Sequence, residues 1–140
     1  MKPVRQTKFS LFYSDGTRYS YGNCLVACIA SWLDLPTDEV PNIYTFYGLD
    51  PRGKDPKDQL WAETMNTWLF NKFRMRLRFW ISLEDVPDGY LIARGKSYRD
   101  KPHTCIYEKR GSDLQSFFDP HPTDQFLATL DYFITIETIS

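Results

Sequence analysis

The chain has 140 residues, 42% of them hydrophobic and 16% aromatic, with 17 Lys and Arg against 18 Asp and Glu. That length suits a single domain spanning residues 1–140, with enough apolar material for a core that needs neither disulfide nor metal. A net charge of -1 lacks the basic excess that nucleic-acid binding uses, and no run approaches the ~18 apolar residues of a membrane span.

The opening MKPVRQTKFS is charged and has no apolar leader core, so it does not read as a secretory signal. Three cysteines, Cys24, Cys28 and Cys105, make a poor disulfide framework. Together with two histidines they also make a poor zinc pattern, because paired ligand knuckles are missing. The expectation is a cytoplasmic protein with reduced thiols, no membrane partner, and neither cofactor nor metal.

In chain order, residues 8–14 (KFSLFYS) form a strand closed by the Asp15-Gly16 turn. A helix then starts at Cys24, with Leu25, Cys28, Ile29, Trp32 and Leu33 at helical spacing and Pro36 ending it. Asn23 is placed to cap it, its side chain accepting an early backbone N–H. Residues 37–40 make a short helical turn stopped by Pro41, and 44–54 form an aromatic loop. A second helix follows over about 57–72, with Pro56 near its first turn and Trp61, Met65, Trp68, Leu69 and Phe73 on one face.

From there the period changes to two. Leu77, Phe79 and Ile81 alternate with Arg76, Arg78 and Trp80 as in a half-buried strand. Further strands are expected at 90–93, 104–109, 115–118 and 132–139, with turns at Asp88-Gly89 and Arg110-Gly111-Ser112. Helices followed by about five antiparallel strands define an α+β fold, the helices packed on one side of a meander.

Cys24 sits where unpaired N–H groups and the helix dipole favour a thiolate. Cys28, one turn on, belongs to the apolar stripe and reads as inert. His103 opens a strand and is the candidate base, taking the thiol proton and returning it to a leaving amine. Cys105 shares the His103 face and reads as packing or cleft wall. A hairpin about Gly111 sets Asp119 beside His103, where it would fix the imidazole tautomer. His121, between Pro120 and Pro122, could line the site, as could Asn23 and the Tyr44, Phe46, Tyr47 cluster. The Arg74, Arg76, Arg78 run reads as a solvated face.

In this order, Gly22-Asn23-Cys24 opening a helix, His103 opening a strand and Asp119-Pro120 closing the next one resemble the papain-like cysteine peptidase superfamily. The likeness is greatest to the branch of the C39 bacteriocin-processing peptidases. The chain also resembles small uncharacterised bacterial and phage proteins that share Gln6-Thr7, Gly22-Asn23-Cys24, the 35–41 segment LPTDEVP and Asp119-Pro120-His121-Pro122. The resemblance implies a papain-like fold and a thiol hydrolase acting on an amide, peptide or isopeptide bond of a peptide or protein. It further implies that Gln6 joins the Cys24 N–H in an oxyanion hole. Leu25 stands where C39 peptidases carry Gly, and the Gln6–Cys24 spacing is longer. Glutamine deamidation or transamidation would use the same thioester, and an inactive peptidase-like module holding a partner is the alternative of another class.

Overall fold

The computed structural model describes residues 1–7, 11–12, 18–20, 23–41, 56–99 and 102–139. Leu11–Phe12 (β1) pairs antiparallel with Arg18–Ser20 (β2) in a small sheet of its own. The strand expected over 8–14 is therefore two residues long among the described positions, and it stands outside the main sheet.

Helix α1 runs Cys24–Leu33 and is buried from Cys24 through Ser31. Its turns carry Ala, Cys, Val and Ile on every side, so it is a core helix rather than a half-exposed one. Asp34 closes it in the left-handed conformation (φ 58°), and the Leu35 N–H reaches back to the Ala30 carbonyl at 2.9 Å. A 3-10 turn at Thr37–Glu39 follows and delivers Val40 into the core.

Helix α2 spans Pro56–Phe73, with Pro at the first helical position. Met65 and Leu69 are fully buried, while Trp68 packs edge-on against Phe73 with ring centroids 5.6 Å apart. Five strands follow: β3 (Met75–Trp80), β4 (Gly89–Lys96), β5 (Pro102–Arg110), β6 (Asp113–Phe118) and β7 (Tyr132–Thr138).

Their pairing is antiparallel in the order β3-β7-β4-β5-β6. The α+β class and the five-stranded antiparallel sheet agree with the sequence expectation, but a plain meander does not. The last strand inserts between β3 and β4, and both of its faces are buried there, Phe133 on one and Ile134 on the other.

On one face Leu77, Ile92, Ile106, Ile134 and Ile136 pack with residues of α1 and α2. On the other, Leu91, Ala93, Cys105, Tyr107 and Phe133 are covered by Val86 and Leu127. The edge strand β3 keeps only part of its expected apolar face. Leu77 is buried, Phe79 leans on Tyr132 at 6.3 Å, and Ile81 lies past the strand end at 82% exposure.

The arginine run is a surface face, as expected. Arg76 and Arg78 meet Glu137 at 2.7 and 3.7 Å, and Arg78 also lies over Trp80.

Two details of the sheet place the candidate site. Arg110 pairs with Asp113, so Gly111 and Ser112 form a two-residue loop, with Gly111 at φ 62° where a side chain would strain. Farther along, Tyr107 pairs with Ser116 but Ile106 with Phe118, so Phe117 is the extra residue of a bulge. Continuing the shifted register sets Asp119 level with Cys105, on the strand face that Cys105 shares with His103. Without the bulge it would stand level with Thr104, on the other face.

Gly95 pairs with His103, and a Cβ there would lie 1.9 Å from the Thr129 carbonyl oxygen. Gly95→Ala is expected to destabilise the fold by about 1–3 kcal/mol or more through this clash, read as a lowered denaturation midpoint. An unchanged midpoint would show that Thr129 does not need to approach β4 this closely.

Candidate active site

Cys24, the first residue of α1, is nearly buried, and the whole first turn behind it is core. His103 and Asp119 are buried as well, at 3% and 0% exposure. His103 Nε2 lies 2.6 Å from Asp119 Oδ1. That contact occupies one ring nitrogen. With Nε2 taken, Nδ1 is the nitrogen left to act on the Cys24 thiol. His103 and Asp119 are in direct contact, and Cys24 lies near enough to His103 for each to shift the other's protonation.

Asp119 is itself held. The backbone N–H of His121 donates to its Oδ1 at 2.9 Å, and that of Phe126 donates to its Oδ2 at 2.9 Å. Burial raises its pKa, but the His103 bond and these two amides outweigh burial and hold it at about 2. Burial likewise opposes charge on His103, yet the bonds to Asp119 and Cys24 lift it to about 9. For Cys24, burial favours the thiol. His103, the Arg94 charge and Thr104 together win and bring it down to about 7. A thiolate–imidazolium pair backed by a carboxylate therefore forms as pH rises through about 7.

The N-terminal segment ties the two halves of the site together. The Val4 N–H donates to Ser31 Oγ on α1, and the Gln6 N–H to the Pro120 carbonyl at 3.0 Å. Arg5 donates to the carbonyls of Asp119 and His121 and pairs with Asp124. Gln6 is buried between the Asp119 turn on one side and the Thr7–Asn23 contact on the other.

Asn23 departs from its expected part. It occupies the N-cap position, but its side chain makes no cap bond. Its Oδ1 accepts the Thr7 N–H at 2.9 Å and its Nδ2 donates to Thr7 Oγ1 at 2.8 Å. With backbone angles of -118° and 35° it is outside the extended conformation of a usual cap, so the amide is turned to the N-terminal segment instead. It still lines a groove of about 470 Å3, together with Thr7, Val26, Thr37 and Val40.

His121 stands edge-on to His103 with ring centroids 6.0 Å apart, and its Nδ1 meets Thr123 Oγ1 at 2.9 Å. Burial, with Arg99 and His103 nearby, lowers its pKa. Tyr44, Phe46, Tyr47 and Gly22 lie outside the described residues. Cys28 is inert: burial raises its thiol pKa, and the Sγ faces the Thr104 carbonyl at 3.6 Å.

Cys105, expected as packing or cleft wall, is buried in the core of its sheet face. Its sulfur is close to both the His103 ring and the Asp119 carboxylate, within 4.8 Å. Arg94 and Thr104 were missed altogether. They pair across β4 and β5, and the Arg94 guanidinium donates to Thr104 Oγ1 at 3.1 Å. Only the strand register brings them near Cys24, so no local sequence signal could have found them.

No protein-family model, curated protein or solved structure matches this chain. Among the described residues, no helix is long and apolar enough to cross a membrane.

The carboxylate makes a sign-definite prediction. Asp119 falls from 3.8 to about 2 on folding, so its stabilisation is present above the unfolded value and disappears as pH drops through that window. Asp119→Asn is expected to be less stable at neutral pH and to lose less stability between pH 4 and 2. Identical pH dependence in the two proteins would mean that the carboxylate is not held as described.

Proposed function

We propose that the protein is a thiol hydrolase of papain-like type, cleaving an amide, peptide or isopeptide bond through Cys24, His103 and Asp119. The observation that carries this reading is a buried imidazole bonded through Nε2 to a buried carboxylate, with the helix-borne Cys24 close enough to shift its protonation. The order of elements supports the papain-like and C39-like relationship: Cys24 opens α1, His103 is near the start of β5, and Asp119 follows β6.

In this reaction the Cys24 thiolate attacks the carbonyl carbon. The oxyanion that forms is held by the Cys24 backbone N–H, which lies in the first turn where such groups lack an intrahelical partner. Gln6, buried in the segment joined to both Pro120 and Asn23, is the side chain offered as second donor. His103 gives its Nδ1 proton to the leaving amine as the C–N bond breaks, which leaves a thioester on Cys24. Neutral His103 then takes a proton from water, the hydroxide attacks the thioester, and the thiolate leaves with the acid product. Asp119 keeps the ring aimed and stabilises its charged form throughout.

An activated ester tests the chemistry without knowledge of the natural substrate. With p-nitrophenyl acetate we expect a burst of nitrophenolate and an acetyl group on Cys24, both lost in Cys24→Ala. The burst rate should rise with pH through about 7 as Cys24 ionises. Acylation confined to surface lysines, with Cys24→Ala unchanged, would remove the hydrolase reading and favour a binding module. Ammonia release from glutamine peptides without chain cleavage would assign deamidation by the same residues.

A further inference from the structure

We propose that His103, Cys105 and Asp119 form a binding site for a soft divalent cation of the zinc type, whose occupation turns the neighbouring Cys24 off. The site rests on its own geometry; only the consequence for Cys24 depends on the hydrolase reading. One ligand atom from each residue lies within 4.8 Å of the other two, and all three side chains are buried.

The spacing fits a single ion. A tetrahedral zinc with bonds of about 2.3 Å to sulfur and about 2.0 Å to nitrogen or oxygen separates its ligands by roughly 3.3–3.6 Å. The 2.6 Å His103–Asp119 contact would therefore open by roughly 1 Å or less to admit it.

The donor set is thiolate, imidazole and carboxylate, which suits zinc and not calcium or magnesium, since those take oxygen ligands. The surroundings of the ligands are already in place. Asp119 is fixed by the backbone N–H groups of His121 and Phe126. The pattern is invisible in the sequence because it uses alternate residues of one strand plus a third after the next strand, rather than the CxxxC spacing.

Protons and charge balance on binding. The cation replaces the proton on His103 Nε2 and the proton on the Cys105 thiol, and both leave to solvent. Two positive charges enter and two depart, so the site keeps its net charge. His103 then retains only its Nδ1 proton, and with Nε2 bound to metal it no longer cycles between acid and base. Water supplies the fourth ligand.

Cobalt(II), added to the reduced, metal-free full chain, is the probe. The expected result is a thiolate-to-cobalt charge-transfer band in wild type and in Cys24→Ala, removed by Zn2+. In Cys105→Ser the thiolate band should be lost and the affinity should weaken about tenfold or more. A band that survives Cys105→Ser but disappears in Cys24→Ala would put the ion on the nucleophile and overturn the site, as would no band at all. X-ray absorption of zinc-loaded wild type needs no variant: one sulfur in the coordination shell supports the site, and none or two contradicts it.

The two readings fail separately. A cobalt band in a protein that turns over no ester leaves the metal site standing without the hydrolase. Ester turnover with no band leaves the hydrolase without the site, and ester turnover unaffected by bound zinc would contradict the switch.

Discussion

The site depends on one hydrogen bond, from the His103 ring to Asp119 at 2.6 Å in a nearly water-free setting. Burial opposes charge on every member of this group, so each charged form persists only because its neighbour is charged and correctly aimed. By occupying Nε2, Asp119 leaves Nδ1 as the ring nitrogen available to Cys24. The same bond explains why Cys24 differs from Cys28 four residues later. Both thiols are buried on one helix, but only Cys24 reaches the imidazole, and their pKa values move in opposite directions.

The backbone supplies the aim. The extra residue at Phe117 puts Asp119 on the His103 face, and Phe117 itself turns outward against Tyr90, ring centroids 4.6 Å apart. Two amides from the following turn hold the carboxylate, and Arg5 clamps that turn through the carbonyls of Asp119 and His121. The N-terminal segment then runs from this clamp to Asn23, beside the nucleophile. Most of these bonds between residues distant in sequence have a main-chain group on at least one side, and the Gln6–Pro120 bond has one on both.

Much of this was readable in the sequence, for reasons specific to each element. Apolar spacing located both helices, Pro36 bounded the first, and the Gly111 turn implied the hairpin that brings His103 to Asp119. What was not readable depended on tertiary context. Nothing local marks Phe117 as a bulge, and the place of β7 is set by both of its faces being buried, not by its neighbours in the chain. Asn23 has the residue type of a cap, but Thr7 offers its amide both an acceptor and a donor, and those bonds form instead of the cap. Cys105 looked like packing because a buried cysteine usually is; its position beside Asp119 follows from the bulge alone.

The central claim is that His103 keeps Cys24 ionised near neutral pH, and the rate of iodoacetamide labelling at Cys24 tests it most directly. Measured from pH 4 to 9 by peptide mapping, wild-type labelling should rise with a midpoint near 7. In His103→Ala the midpoint should move to the ordinary thiol range or above, with the rate at pH 7 falling roughly 50-fold as the thiolate fraction drops from about half to about one per cent. A wild-type midpoint in the ordinary thiol range, unmoved by the substitution, would contradict the account.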